Sequence, residues 1–247
     1  MYSVYYLADV PDMRIRATTL KDAWPKFMDH DTVADLYWER LFSEFAEYQF
    51  YITDDDCVVL AEGNTIPIRW EKPLADLPEE GWDWALELGF KQREAGIEPN
   101  VLCALSATIG RPFRSTGLSR TVLMEMRRNT LRHELDFLIA PVRPYTKQFY
   151  PLIPMEDYVQ WLRPDGYFFD DWMRTHQRLG AEFIKVAPRS MHIAGSLKRW
   201  EAWTGLAFPG SGTYVVPGAI APVCADHKRD EAVYIEPNVW MVHPAGL

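Results

Sequence analysis

Between Arg111 and Arg120 the chain concentrates groups that bind anions: the guanidinium groups of Arg111, Arg114 and Arg120, the hydroxyls of Ser115, Thr116 and Ser119, and the small residue Gly117 beside Leu118. A nearly all-apolar run, Val101 to Ile109, precedes this stretch, and a segment of helical composition, Arg120 to Arg132, follows it. The first N–H groups of a helix have no intrahelical partner and carry the positive end of its dipole, so a loop in this position suits a phosphate or pyrophosphate. Gly117 permits close backbone approach, and the hydroxyls are further donors. The competing reading is an ordinary strand-to-helix loop in which the serines and threonine only cap the helix.

The elements around this loop can be read from hydrophobic spacing. Val101 to Ile109, the helix, and the apolar run Leu135 to Val142 give a strand, helix, strand order, the sequence form of a parallel crossover. Before it, an opening strand is predicted over Val4 to Arg16, a broken helix over Leu20 to Ala46, and a hairpin of Tyr48 to Thr53 with Cys57 to Glu62. A short strand over Thr65 to Trp70 and a helix over Trp82 to Glu94 come next. After it, residues 144–169 read as a loop-rich insert with one short helix near Glu156 to Leu162. A helix capped by Asp170 or Asp171 then runs to Leu179 and stops at Gly180. Ala181 to Val186, His192 to Gly195, Tyr214 to Val223 and Ala232 to Val242 are closing strands. The fold class expected is α/β (α+β): one domain over residues 1–247, with a mixed, twisted central sheet flanked by helices.

Arg114-x-x-Gly117-x-Ser119, placed after a long strand and before a helix, resembles the R/Q-x-x-G-x-G/A signature of GCN5-related N-acetyltransferases. Serine stands at the last position, where that family has glycine or alanine. The order of elements resembles the family's to about Val223, and the insert resembles those of acetyltransferase-like domains associated with nitrilase-type amidohydrolases. The resemblance implies acetyl-CoA or another acyl-CoA as co-substrate, its pyrophosphate on Arg111, Arg114, Ser115, Thr116, Gly117, Leu118, Ser119 and Arg120. It also implies a backbone N–H within Leu105, Ser106, Ala107, Thr108 or Ile109 to polarise the thioester carbonyl.

Acyl transfer to an amine needs a neutral nucleophile, stabilisation of the oxyanion and a proton for the departing thiolate. The family's usual donor is a tyrosine four residues before the glycine that ends the last helix; counting back from Gly180 reaches His176, whose imidazole can serve. Tyr150 and Tyr145 in the insert are rival donors. No carboxylate lies in Val101 to Ile109, so Glu47, Asp136 and Asp171, at the ends of elements, are the candidate bases. Arg143 is a candidate partner for an acceptor carboxylate, and Trp82, Trp161 and Trp172, with Trp84, Tyr145 and Tyr167, are candidate aromatic walls for the acceptor.

Composition narrows the partners. The chain has 247 residues, 26 Lys and Arg against 35 Asp and Glu, and a net charge of −9, which disfavours nucleic acids and anionic membranes. No run of apolar residues is long enough for a membrane span and no export signal is visible. The three cysteines, Cys57, Cys103 and Cys224, are far apart, with Cys57 and Cys103 in apolar runs, so a reducing, cytoplasmic setting is expected. His176, His192 and His227 match no ligand spacing, and no metal is expected. The function expected is acyl transfer from a CoA thioester to a small-molecule amine, with a homodimer compatible. The alternatives are a carrier-protein or aminoacyl-tRNA donor on the same fold, or a binding module without catalysis.

Overall fold

The computed structural model describes residues 2–20 and 23–244. Strand β1 (Ser3–Tyr6) is followed not by a longer strand but by a one-turn helix, α1 (Met13–Arg16). The broken helix resolves into a 3-10 turn (Lys26–His30) and α2 (Thr32–Glu44), divided at Asp31, whose carboxylate accepts from the N–H groups of Val33 and Ala34. The part of that expectation at residues 21 and 22 lies outside the described residues. An aspartate in extended conformation at the N-cap removes two orphan donors and so sets where the helix begins.

The hairpin pairs β2 (Phe50–Thr53) with β3 (Val59–Ile68) across a turn in which Asp54 accepts from the N–H groups of Asp56 and Val58. Cys57 lies in that turn at φ +59° and is exposed, which corrects the core position expected for it. The two strands read in the sequence on either side of Gly63-Asn64 are one continuous strand. Gly63 is no turn residue: a Cβ there would stand 2.2 Å from the Phe50 ring, so the missing side chain makes room for an aromatic neighbour.

Helix α3 (Gly81–Glu94), strand β4 (Val101–Ile109), helix α4 (Leu118–Arg132) and strand β5 (Phe137–Val142) follow the sequence reading closely. In the insert, α5 (Met155–Tyr158) is a single turn, and Asp170 caps α6 (Asp171–Arg178) through the N–H groups of Trp172 and Met173. The next two expected strands are one, β6 (Glu182–Gly195). A helix absent from the sequence reading, α7 (Leu197–Thr204), and a small hairpin of β7 (Gly212–Tyr214) with β8 (Val223–Asp226) replace the strand expected over Tyr214 to Val223. Strand β9 (Glu231–His243) closes the sheet.

The nine strands form one sheet in the order β1-β2-β3-β4-β5-β9-β8-β7, with β6 also paired to β9. Every pairing is antiparallel except β4 with β5. Ile66 on β3 packs under Gly89 of α3, whereas the neighbouring Thr65 receives Asn129 of α4, so α3 and α4 cover opposite faces. The mixed sheet flanked by helices is the fold class expected. Among the described residues no helix is long and apolar enough to cross a membrane.

Candidate active site

The parallel pair β4 and β5 is in register for three residues only: Val101 with Phe137, Leu102 with Leu138, Cys103 with Ile139. Beyond Cys103 the strands part. β4 is wholly buried from Val101 to Cys103, but Ala104, Ser106, Ala107 and Ile109 are partly exposed, as the loss of one neighbour requires. On its other side β4 stays paired to β3 with a register shift: Thr65 opposes Ala104, Asn64 opposes Ser106, and Leu105 is the extra residue. Such a bulge bends its strand and adds twist, here at the level where β5 is left behind. The Trp82 indole N–H donates to the Leu105 carbonyl at 2.8 Å and pins the bulge. Trp82, expected in an acceptor wall, is a buried support of β4. Trp82→Phe keeps the ring but orphans that carbonyl, and denaturant unfolding should show a loss of about 1–3 kcal/mol.

At the open end of this gap lies the basic loop. Ser115 is at φ +64° and Gly117 at φ +87°, and Gly117 is the N-cap of α4 with no side chain capping the helix. The serines and threonine thus do not close the helix start: Thr116 donates to the Phe113 carbonyl instead, at 2.6 Å. Gly117 is exposed, and a Cβ on it would have no atom within 4 Å. The exposed start of α4, capped by no side chain and flanked in sequence by Arg111 and Arg120, is an arrangement that fits a diphosphate, although the Arg120 N–H already donates to the Gly117 carbonyl at 3.1 Å. Arg114 is turned back, donating to the Ala23 carbonyl at 3.1 Å, so it also ties the loop to the segment before α2.

The face of the sheet opposite α4 carries the polar chemistry. Glu62, on β3, opposes Thr108 and shares its face. Burial pushes the Glu62 carboxyl up to about 7 against the opposing pull of Arg14 and the Thr108 hydroxyl. Ser106 and Thr108 hydroxyls are 2.9 Å apart, and the Trp24 indole N–H donates to Thr108 at 3.1 Å. Trp24 also stands 6.0 Å from the Arg143 guanidinium, so it bridges the end of β4 to the end of β5.

From there a closed circuit of contacts returns to β4. Arg143 pairs with Glu236 at 2.8 Å; Asn238 donates to Glu236 at 3.2 Å; Ser190 donates to Asn238 at 2.6 Å and accepts from the Trp82 backbone N–H at 2.8 Å; Trp82 holds Leu105. Beside this circuit lie Asp31 and Asp83, both accepting from the His192 N–H at 3.2 Å. Burial and the neighbouring Asp31 charge push Asp83 up to about 9, so the pair shares a proton at neutral pH.

The other expected residues are dispersed. Arg143 is neutralised by Glu236, which is fully buried, and donates to the Gly218 carbonyl, so it holds the fold together rather than waiting for an acceptor carboxylate. Trp161 and Tyr150 pack on Tyr158 and Phe169 in the insert; Tyr145 is exposed just past β5. Trp172 lies edge-on to His176 on the α4 side of the sheet. His176 is buried, with Nδ1 3.0 Å from Nε2 of His243. His243 opposes Leu138, on the strand beyond β5 and level with the paired part of β4 and β5. Burial and His243 hold His176 well below the usual imidazole range, and His243 falls to about 4, so both rings are uncharged. The carboxylates considered as bases lie elsewhere. Asp136 accepts from Asn100 at the closed end of the pair, Asp171 is paired with Arg174, and Glu47 sits in the 3-10 turn before β2. The sequence reading missed Glu62; its one signal was a lone acid inside an otherwise uncharged strand, Val59–Ile68.

Two strands that part beside a basic helix N-terminus, with a polar face behind them, form the candidate site. An arginine N-acetyltransferase of Aspergillus versicolor, avaD, is 36% identical over 277 aligned positions, covering 98% of this chain and 94% of that protein. The loading GNATL domain of CurA from Lyngbya majuscula superposes with a TM-score of 0.61 at 16% identity, covering 99% of this chain and 98% of that one. The GNAT-like decarboxylase GphF, solved with isobutyryl-CoA, superposes with a TM-score of 0.56 at 12% identity over the whole of both chains. No protein-family model matches the chain. The chain belongs to the GCN5-related N-acetyltransferase superfamily. It is an acyltransferase that moves an acyl group from a CoA thioester to an amine.

Proposed function

We propose that this enzyme acetylates a nitrogen of arginine, or of a small arginine-bearing molecule, with acetyl-CoA as donor. The observation that carries the reading is the face opposite α4, where Glu62 and the Asp31–Asp83 pair supply negative charge, with Arg14 near Glu62, while Arg143 and Glu236 cancel each other. Such a face attracts a cationic acceptor and repels an anionic one. The likeness to an arginine N-acetyltransferase over nearly the whole length supports the same acceptor class.

In this reading Gly117, Leu118 and Ser119 hold the diphosphate through backbone N–H groups, with Arg111 and Arg120 adding charge. Acyl-CoA supplies the electrophilic thioester carbon. The parted edge of β4, Leu105 to Ile109, offers backbone N–H groups to the acyl carbonyl. Glu62 removes a proton from the acceptor nitrogen, as a carboxylate with a near-neutral pKa can do at physiological pH. His176, buried and uncharged, has its Nε2 without a partner among the described residues; it can donate a hydrogen bond to the departing sulfur, while the proton that the thiolate takes up is the one Glu62 received from the attacking nitrogen. His176→Phe should then lower turnover much more than acetyl-CoA affinity; turnover preserved within a few-fold would remove the ring from the reaction. The free, unpaired state of Cys57, Cys103 and Cys224 supports a reducing compartment such as the cytoplasm.

The direct test is to follow thiol release from acetyl-CoA with arginine, agmatine, lysine and acidic amino acids as acceptors, and to identify the acetylated nitrogen by mass spectrometry. Acetylation of arginine or agmatine well above that of glutamate is expected. Equal rates with acidic acceptors would overturn the assignment.

A further inference from the structure

Asn64 is completely buried, and alone among the described residues it has both polar side-chain atoms, Oδ1 and Nδ2, buried without a hydrogen-bond partner. Its position is specific. It opposes Ser106 at the point where Leu105 is inserted into β4, two residues along β3 from Ile66, the partner of the last β4 residue that β5 covers. Alternation along β3 places it on the same face as Glu62 and Ile66, opposite α4. The nearby polar groups are already engaged: Ser106 with Thr108, and Thr108 with Trp24.

A buried amide with no partner costs about 1–3 kcal/mol, and folded proteins retain few of them. At a strand position flanked by Ala61, Ile66 and Ile68, all fully buried, an apolar residue of similar size would avoid that cost. An unmet donor and acceptor side by side, next to the carboxyl that removes the acceptor's proton, are explained if the second substrate meets them.

We propose that Asn64 is an acceptor-binding residue, its Oδ1 accepting from an N–H of the attacking nitrogen and so fixing the direction in which that nitrogen approaches the gap between β4 and β5. The inference rests on the acceptor entering by the Glu62 face.

The test is Asn64→Leu, which keeps the shape and removes both polar atoms. kcat/KM for the amine acceptor should fall by about 10- to 100-fold, the worth of one buried hydrogen bond to a substrate. Acetyl-CoA affinity by calorimetry should stay within about twofold, and Tm should be equal to or above that of the parent, since an unmet amide has been deleted. A merely structural asparagine would give a lower Tm and unchanged acceptor kinetics, and either result overturns the proposal. A loss of acetyl-CoA affinity equal to the loss of rate overturns it too, by placing the donor on this face. Should the leucine variant fail to fold, Asn64→Ser carries the same measurements with the same outcomes. If Glu62→Gln lowers the rate while Asn64→Leu does not, only this inference fails; if neither does, the assignment of the acceptor face fails with it.

Discussion

Glu62→Gln is expected to lower kcat/KM for the amine acceptor by about 10²- to 10⁴-fold at neutral pH, the usual worth of a positioned general base. The carboxyl shares its face with Ser106 and Thr108 of β4, and burial holds it at about 7 rather than in the ordinary range. In the parent enzyme kcat/KM should therefore rise with pH through about 7 and level off above it, because only the ionised carboxylate accepts a proton. In the glutamine variant that limb should vanish, with acetyl-CoA affinity unchanged.

Stability should move the opposite way. The folded-state pKa of Glu62 lies above its unfolded value of 4.5, so the folded protein binds the extra proton, and stability falls as pH rises from about 4.5 through 7. Glu62→Gln should thus raise the denaturation midpoint above pH 7 and leave it near the parent's below pH 5. A variant that loses activity and stability together would mark Glu62 as a structural residue.

Gly117→Val is expected to weaken acetyl-CoA binding by about 100-fold while circular dichroism shows an intact fold. Two causes combine. At φ +87° a β-branched residue is strained by about 1–3 kcal/mol, and its methyl groups would stand over the helix N-terminus where the diphosphate is to sit. Since a Cβ there meets nothing within 4 Å, the variant has no internal clash to unfold it. Gly117→Ala separates the causes: it shares the strain but blocks less, so its loss should be smaller. Unchanged affinity of the valine variant in calorimetry would remove the diphosphate from this loop.

The crossover unit was legible because each of its parts is local. β4 is a run of nine residues without a charge, α4 carries apolar residues at helical spacing, and the loop between them announces itself by glycine, hydroxyls and arginines. The remainder was harder for identifiable reasons. Gly63-Asn64 interrupts the apolar pattern, since glycine and asparagine commonly make turns; pairing to Phe50 on one side and Ala107 on the other keeps Gly63 in a strand, with the Phe50 ring in the space a side chain would take. The helix α7 was missed between strands because its eight residues make only about two turns, too short for a helical period to show, and it is held by the Ser196 cap and by Trp200 donating to Ala232. Arg143 and Trp82 have the chemistry of substrate contacts, yet Glu236 and the Leu105 carbonyl claim them first.

The amino-acid order alone determined the strand, loop and helix that offer backbone donors to an anion, because those depend on hydrogen bonds and dihedral preferences within a few neighbouring residues. It also determined the acidic character that favours a cationic partner. Which carboxyl acquires a near-neutral pKa, where β4 leaves β5, and which polar groups satisfy one another were decided only by the tertiary structure. Desolvation and pairing depend on what packs around a group, and Glu62, Asn64, Trp24 and Arg143 meet only when β3, β4, β5 and the segment before α2 converge.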